Sequence, residues 1–208
     1  MESGYLLKGL LIGFAIAAPV GPIGVLCIQR TLMRGRIYGF LSGLGAATAD
    51  AVYGSIAAFG LTIISSFLVQ QQVWFRLVGG IFLCFLGSRT ILSKRMMASP
   101  SGNPRGLLNA YGSTFFLTLT NPVTILAFAA IFAGLGLVNA SGDYFSAGMT
   151  VLGVFLGSSA WWLILSTITS LLRDRISTIG LTWVNRISGC IILAFGVAAL
   201  IGVVGLLR

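Results

Sequence analysis

Histidine is absent from the 208 residues, and only three are cysteine. The first absence removes the commonest metal ligand and the usual switch at physiological pH. Cys27, Cys84 and Cys190 lie in separate apolar stretches and form no CxxC pair. They read as small buried hydrophobes, not as a redox or metal site. Charge is scarce too. Charged residues make up 8% of the chain, against roughly 25% in a soluble domain. So few ionisable groups cannot cover a water-facing surface, which argues against a cytosolic enzyme or a soluble nucleic-acid binder. Acids are scarcest: four stand against 13 Lys and Arg, giving a net charge of +9. There is no P-loop and no plausible catalytic pair, so neither an ATP-driven pump nor an enzyme finds support. No cleavable signal peptide is expected, because the first apolar run continues past a signal h-region without a convincing cleavage site. No cofactor is expected.

Apolar residues fill the gap. They make up 57% of the chain, and the mean hydropathy is +1.00. That is the composition of an integral membrane protein. A helix needs about 20 apolar residues to cross the hydrocarbon core. Six spans are expected: about Gly4 to Ile28, Ile37 to Phe67, Trp74 to Leu92, Tyr111 to Val138, Ala147 to Leu172 and Trp183 to Leu207. The connections are short except for Ser93 to Asn109, so residues 1–208 read as a single transmembrane domain. Arg30, Arg34, Arg36, Arg89, Lys94, Arg95, Arg105, Arg173, Arg175 and Arg186 fall on one side of that layout. The opposite connections, Gln70-Gln71-Gln72 and Asn139 to Asp143, hold no Lys or Arg. By the positive-inside rule the basic loops are cytoplasmic and both termini lie outside. The basic excess is then topology, and no nucleic-acid partner is implied.

The spans read as two sets of three. Trp74, Gly80 and Gly87 have the same W-x5-G-x6-G spacing as Trp183, Gly189 and Gly196. Spans one and four each carry a proline interruption, Pro19-Val20-Gly21-Pro22 and Asn121-Pro122. Spans two and five each carry a glycine pair, Gly39/Gly43 and Gly153/Gly157, expected as packing faces. The halves are about 4–92 and about 110–208, joined by a loop over about 93–109. Each holds an odd number of spans, so they enter the membrane from opposite sides. The expected fold is all-α, with six helices as two inverted three-helix repeats and helices 1 and 4 broken near the midplane. Such inverted repeats and paired breaks mark secondary transporters.

Proline removes a donor and clashes with the preceding turn. In hydrocarbon the freed carbonyl is costly unless protein or water satisfies it. Each half-helix that restarts after a break presents free N–H groups suited to an anion such as a carboxylate. Asn121 is placed to cap its break or to bond a ligand. Asp50 is the one acid within an apolar span, and such a group is a functional candidate by default. Arg76, Arg89 and Arg186 fall near span ends, so Asp50 is expected without a counter-ion at its depth. It is assigned to a substrate amine, to proton carriage, or to both in alternation. Thr48, Thr118 and Thr120 either add hydroxyl ligands or bond their own i−4 carbonyls. Tyr53, Trp161 and Trp162 are read as packing more than as cavity lining, and Trp74 and Trp183 as interface anchors.

These residues resemble the LysE/RhtB family of amino-acid exporters. The likeness is carried by Gly13 to Pro22, then Arg30, Arg34, Gly35, Gly39, Gly43, Asp50 and Gly54, then Asn121-Pro122. It covers nearly the whole chain in length, span count and motif order. It implies export of amino acids or their relatives from the cytoplasm of a bacterial cell across the inner membrane, driven by an ion gradient and commonly attributed to proton antiport. It also implies that Pro19, Gly21, Pro22, Asp50, Asn121 and Pro122 belong to the transport core. The sequence departs from the family twice. Val20 is inserted where Pro-Gly-Pro is usual, and Val123 follows Asn-Pro where Lys is usual. A zwitterion needs no Lys at 123 if its ammonium meets Asp50 and its carboxylate a half-helix N-terminus. The expected partners are an amino acid, protons or another coupling ion, and the lipid bilayer. The Gly-rich faces permit a homodimer and equally serve packing within one subunit. The alternative is a metal or other inorganic-ion exporter of the same superfamily, for which one carboxylate and no His make a poor site.

Overall fold

The structure, a computed structural model, describes residues 3–19, 21–59, 67, 70–92, 104–121, 123–125, 127–128, 144–173 and 178–206. Every regular element among them is a helix: α1 (Ser3–Ala17), α2 (Pro22–Arg34), α3 (Arg36–Ala58), α4 (Gln72–Leu92), α5 (Pro104–Leu119), α6 (Tyr144–Arg173) and α7 (Thr178–Leu206). Among the described residues, three stretches are long and apolar enough to cross a membrane: Val73–Leu92, Tyr144–Arg173 and Thr182–Val203. The pair α1 and α2 makes a fourth if its two halves form one span.

Several expected boundaries move. The first apolar run is two helices set at 81° to each other. At 15 and 13 residues, neither half crosses a bilayer alone. Helix α3 covers the second expected span as far as Ala58, where the Phe59 N–H bonds the Ser55 carbonyl, and residues 60–66 lie outside the described residues. This α3 is long enough but less apolar, because it carries Ser42, Thr48, Asp50 and Ser55 among small residues. Helix α5 begins at Pro104, seven residues before the expected span, and ends at the Asn121 break. Residues 126 and 129–138 of that span, the 93–103 connection and the Asn139–Asp143 stretch lie outside the described residues, as do Val20 and Pro122.

Backbone approach holds the bundle together. Lipid tails are as apolar as leucine, so helices in a membrane associate through close packing at small residues. Helix α1 lies along α6, α4 along α7, and α3 between α5 and α6. A Cβ on Gly9 would sit 2.1 Å from the Thr150 carbonyl oxygen, and one on Gly157 2.0 Å from that of Leu10. The expected Gly153/Gly157 face is therefore the α1 contact. Between α4 and α7, Gly80 meets Gly196 and Gly87 meets Gly189. The outside is apolar, as a lipid-facing surface should be: Leu11, Ile81, Phe85, Leu171 and Ile201 are all well exposed. Trp74 and Trp183 are exposed as well.

Between α2 and α3 the chain turns on one residue. Gly35 has φ +101°, a conformation that side chains disfavour, and its N–H bonds the Thr31 carbonyl at 2.9 Å. The turn directs α3 back along α2 and so carries Asp50 to the level of the breaks.

Candidate substrate cavity

A cavity of about 590 Å³ opens where the two helix breaks come together. That is within the roughly 300–1,000 Å³ of small-molecule sites. Its walls come from both halves of the chain: α1 and α2, α3, α4, the α5 break, and single residues or turns of α6 and α7.

At the first break, Ala18 N–H bonds the Phe14 carbonyl at 3.0 Å and α1 ends. Pro19 has no N–H to give the next carbonyl, that of Ala15. Helix α2 restarts with Pro22 in its first turn, after an extended Gly21 that has no side-chain cap. The Val25 N–H bonds the Gly21 carbonyl, the first intrahelical bond of α2 among the described residues. Ala15, Pro19, Gly21, Pro22, Ile23 and Gly24 all line the cavity.

The second break is satisfied by side chains. Asn121 Oδ1 accepts the Val123 N–H at 3.2 Å, and its Nδ2 donates to Thr124 Oγ1 at 3.0 Å. Asn121 thus caps the short helical turn that follows. The Val123 N–H would otherwise bond the Leu119 carbonyl. Tyr53 supplies the missing donor, its hydroxyl bonding that oxygen. Asn121, Val123 and Thr124 face the cavity, and Pro122 lies outside the described residues.

Asp50 lines the same cavity and is 3% exposed. Ser158 of α6 donates to its Oδ2 at 2.7 Å, and Trp162 Nε1 donates to Ser158 Oγ at 3.2 Å. That relay fixes one oxygen of the carboxyl and leaves Oδ1 for the cavity. Sequence reasoning missed Ser158. Its only signal was a hydroxyl beside the Gly157 of a close-packing face, and the pairing needs to know that α3 and α6 are neighbours. Trp162 was read as packing and does line the cavity, while Trp161 packs edge-on against Phe14 at 5.3 Å.

The three threonines all bond their own helices: Thr48 to Leu44, Thr118 to Thr114 and Thr120 to Phe116. Thr118 and Thr120 still line the cavity. Thr48 does not; its hydroxyl accepts from Tyr111 at 2.9 Å and ties α3 to α5.

Two arginines depart from expectation. Arg76 was placed near a span end, away from Asp50, yet it lines the same cavity. Its long stem carries the head group along α7, where Gly202 leaves room; a Cβ there would sit 3.0 Å from the guanidinium. The Arg76 Nε is buried and bonds nothing among the described residues. Arg30 was read as a loop charge. It lies inside α2 because that helix runs on to Arg34, and its guanidinium bonds Ser42 Oγ, the Ala110 carbonyl, Thr114 Oγ1 and Ser113 Oγ at 2.7–2.9 Å. Nearby, Arg173 Nε bonds the Leu32 carbonyl at 3.0 Å. These contacts join α2 and α3 to α5 and α6 at the end of the bundle remote from the breaks.

Residues 14–202 match the family model described as LysE type translocator. The chain is 26% identical over 196 residues to the protein named "Putative amino acid efflux protein YcgF" of Bacillus subtilis, covering 91% of this chain and 92% of that one. It is 30% identical over 155 residues to "Uncharacterized membrane protein YahN" of Escherichia coli, covering 69% and 65%. It is 28% identical over 204 residues to "Chemotactic transduction protein ChpE" of Pseudomonas aeruginosa, covering 93% and 95%. No solved structure matches the chain. With almost its whole length matched by the family model, this membrane protein belongs to the LysE-type translocators.

Proposed function

We propose that the protein is a secondary active exporter that moves amino acids or related small metabolites out of the cytoplasm by proton-coupled alternating access. The observation that carries the proposal is the cavity itself: two helix breaks and a buried carboxyl, Asp50, converge on a volume suited to a small solute. Family membership supports export, and the YcgF name supports amino acids as cargo. Asp50 is assigned to the substrate ammonium and to the coupling proton, held in turn. Pro19, Gly21, Pro22 and Asn121 form the breaks around it, and Pro122 is assigned with them from the sequence.

Six spans in two inverted repeats are part of the same reading. Exchanging the halves maps the α1–α6 contact onto the α5–α3 contact, and it maps α4–α7 and α3–α6 onto themselves. At residue level, Gly80 against Gly196 maps onto Gly189 against Gly87. A two-fold axis in the membrane plane produces that pairing. The basic loops are assigned to the cytoplasm of a bacterial cell, the membrane to the inner one, and both termini to the outside.

Proteoliposomes loaded with a panel of radiolabelled amino acids test the function. Efflux driven by an imposed proton gradient is expected for some members and lost in Asp50→Asn. Transport of a divalent metal with no amino-acid efflux overturns the reading. A reporter fused within 93–109 that reads as external overturns the orientation.

A further inference from the structure

The cavity holds two ionisable side chains of opposite sign, Asp50 and Arg76. They are mounted on different helix pairs. Asp50 belongs to α3 and is fixed by Ser158 of α6. Arg76 belongs to α4 and reaches α7 beside Gly202. Most other polar side chains of the wall are already committed. Thr118 and Thr120 bond their own helix, and Asn121 and Thr124 bond each other. What stays available is a carboxyl oxygen on one wall and, on another, a guanidinium whose Nε has no partner among the described residues.

A guanidinium offers a planar fork of donors that matches a carboxylate with two parallel bonds. In an apolar setting an unpaired one is costly unless a partner arrives. The Arg76 Nε has no partner among the described residues. We propose that Arg76 is the carboxylate-binding residue of this cavity, working opposite Asp50, so that the cargo is a zwitterion and not an amine or a simple anion. The proposal rests on the exporter reading above and replaces the half-helix N-terminus with a side chain as the main carboxylate anchor. It also gives the cargo a mechanical role. A zwitterion held at both ends joins the α3–α6 pair to the α4–α7 pair, and its release frees them. A simpler role for Arg76 is to extend its head toward the membrane surface. That role requires a charge but not a carboxylate.

Exchange by the purified protein in proteoliposomes separates the two. The probes are the free L-amino acids and the methyl esters of the same amino acids, which keep the ammonium and lose the anionic charge. The wild type is expected to prefer the free acid of its best amino acid over the ester by at least about tenfold, as for the loss of one charge-assisted bond. Arg76→Gln is expected to bring acid and ester to parity by slowing the acid. Arg76→Lys, which keeps charge and reach but not the fork, is expected to retain part of the preference. Equal use of acid and ester by the wild type overturns the Arg76 assignment and leaves the exporter standing. So does undiminished discrimination in folded Arg76→Gln. Absence of exchange with any amino acid overturns both. Where Arg76→Gln does not fold, Arg76→Lys carries the comparison: a preference reduced against the wild type is expected, and an undiminished one overturns the assignment.

Discussion

Ser158 Oγ donates to Asp50 Oδ2 at 2.7 Å, joining residues 108 positions apart in the chain. The same hydroxyl accepts from Trp162 Nε1. Ser158→Ala therefore strips a donor from a buried carboxyl and an acceptor from a buried indole at once. An unsatisfied buried polar group costs about 1–3 kcal/mol. A lower midpoint of thermal unfolding in detergent is expected, together with slower amino-acid efflux. Ser158→Thr keeps the hydroxyl and should stay close to the wild type. Asp50→Asn still accepts the Ser158 bond, so it should fold normally and fail only in transport. A Ser158→Ala variant with unchanged stability and efflux removes the relay from the site.

Arg30 makes four hydrogen bonds to α3 and α5 from one guanidinium. Ser42 and Thr114 already spend their own protons on Tyr38 and Ala110, so they need an outside donor for their remaining lone pairs. Arg30→Gln cannot reach all four acceptors. The expected loss is about 2 kcal/mol or more, since bonds to charged groups contribute about 1.5–3 kcal/mol each. Arg30→Lys should recover only part of it, because an ammonium lacks the fork. Unfolding midpoints of the two variants in detergent check the order wild type, Lys, Gln.

Two glycines of α6 should respond oppositely to the same change. A Cβ on Gly157 would fall 2.0 Å from the Leu10 carbonyl oxygen, whereas one on Gly148 meets nothing within 4 Å. Gly157→Ala must push α1 away and is expected to lower folded yield sharply. Gly148→Ala gains helix propensity, about 1 kcal/mol in a soluble helix, and should be neutral or stabilising. Monodispersity on size exclusion of the two purified variants separates them. Equal behaviour means that α1 does not pack on α6 in this way.

What could be read from the sequence was whatever acts through local chemistry. Pro19 and Pro22 remove donors wherever they lie, so the first break was predictable, and so was the Asn121 cap. Asp50 stood out because nothing else in the apolar spans carries a negative charge. The glycine pairs announced close packing without naming the partner helix. Relations across helices were hidden. Ser158 is an ordinary hydroxyl until α6 is laid against α3. Arg76 looks like a span-end charge until its stem is followed along α7 to Gly202. Arg30 reads as topology until α5 is set beside α2. Helix length was hidden for a related reason, because α5 starts in a polar stretch with a low-hydropathy first turn, Pro104-Arg105-Gly106.

Tyr53 is the test of whether the second break is built or merely tolerated. Its hydroxyl bonds the Leu119 carbonyl, which lost its ordinary helical partner when the Val123 N–H turned to Asn121. The ring is packed against Phe128 at 5.8 Å, so Tyr53→Phe removes the donor and preserves the packing. One orphaned carbonyl in an apolar wall costs about 1–3 kcal/mol. The chain can answer by unfolding sooner or by reforming the bond from Val123 to Leu119 and straightening the break. The first outcome lowers the unfolding midpoint. The second leaves the midpoint nearly unchanged but narrows the cavity, so efflux falls while the protein stays folded. Asn121→Ala attacks the same break from the other side, because it releases the Val123 N–H for Leu119. If the break is built from these two side chains, Tyr53→Phe with Asn121→Ala should cost less stability than the two single changes added together. Strict additivity in the double-mutant cycle means that Tyr53 and Asn121 do not share the break.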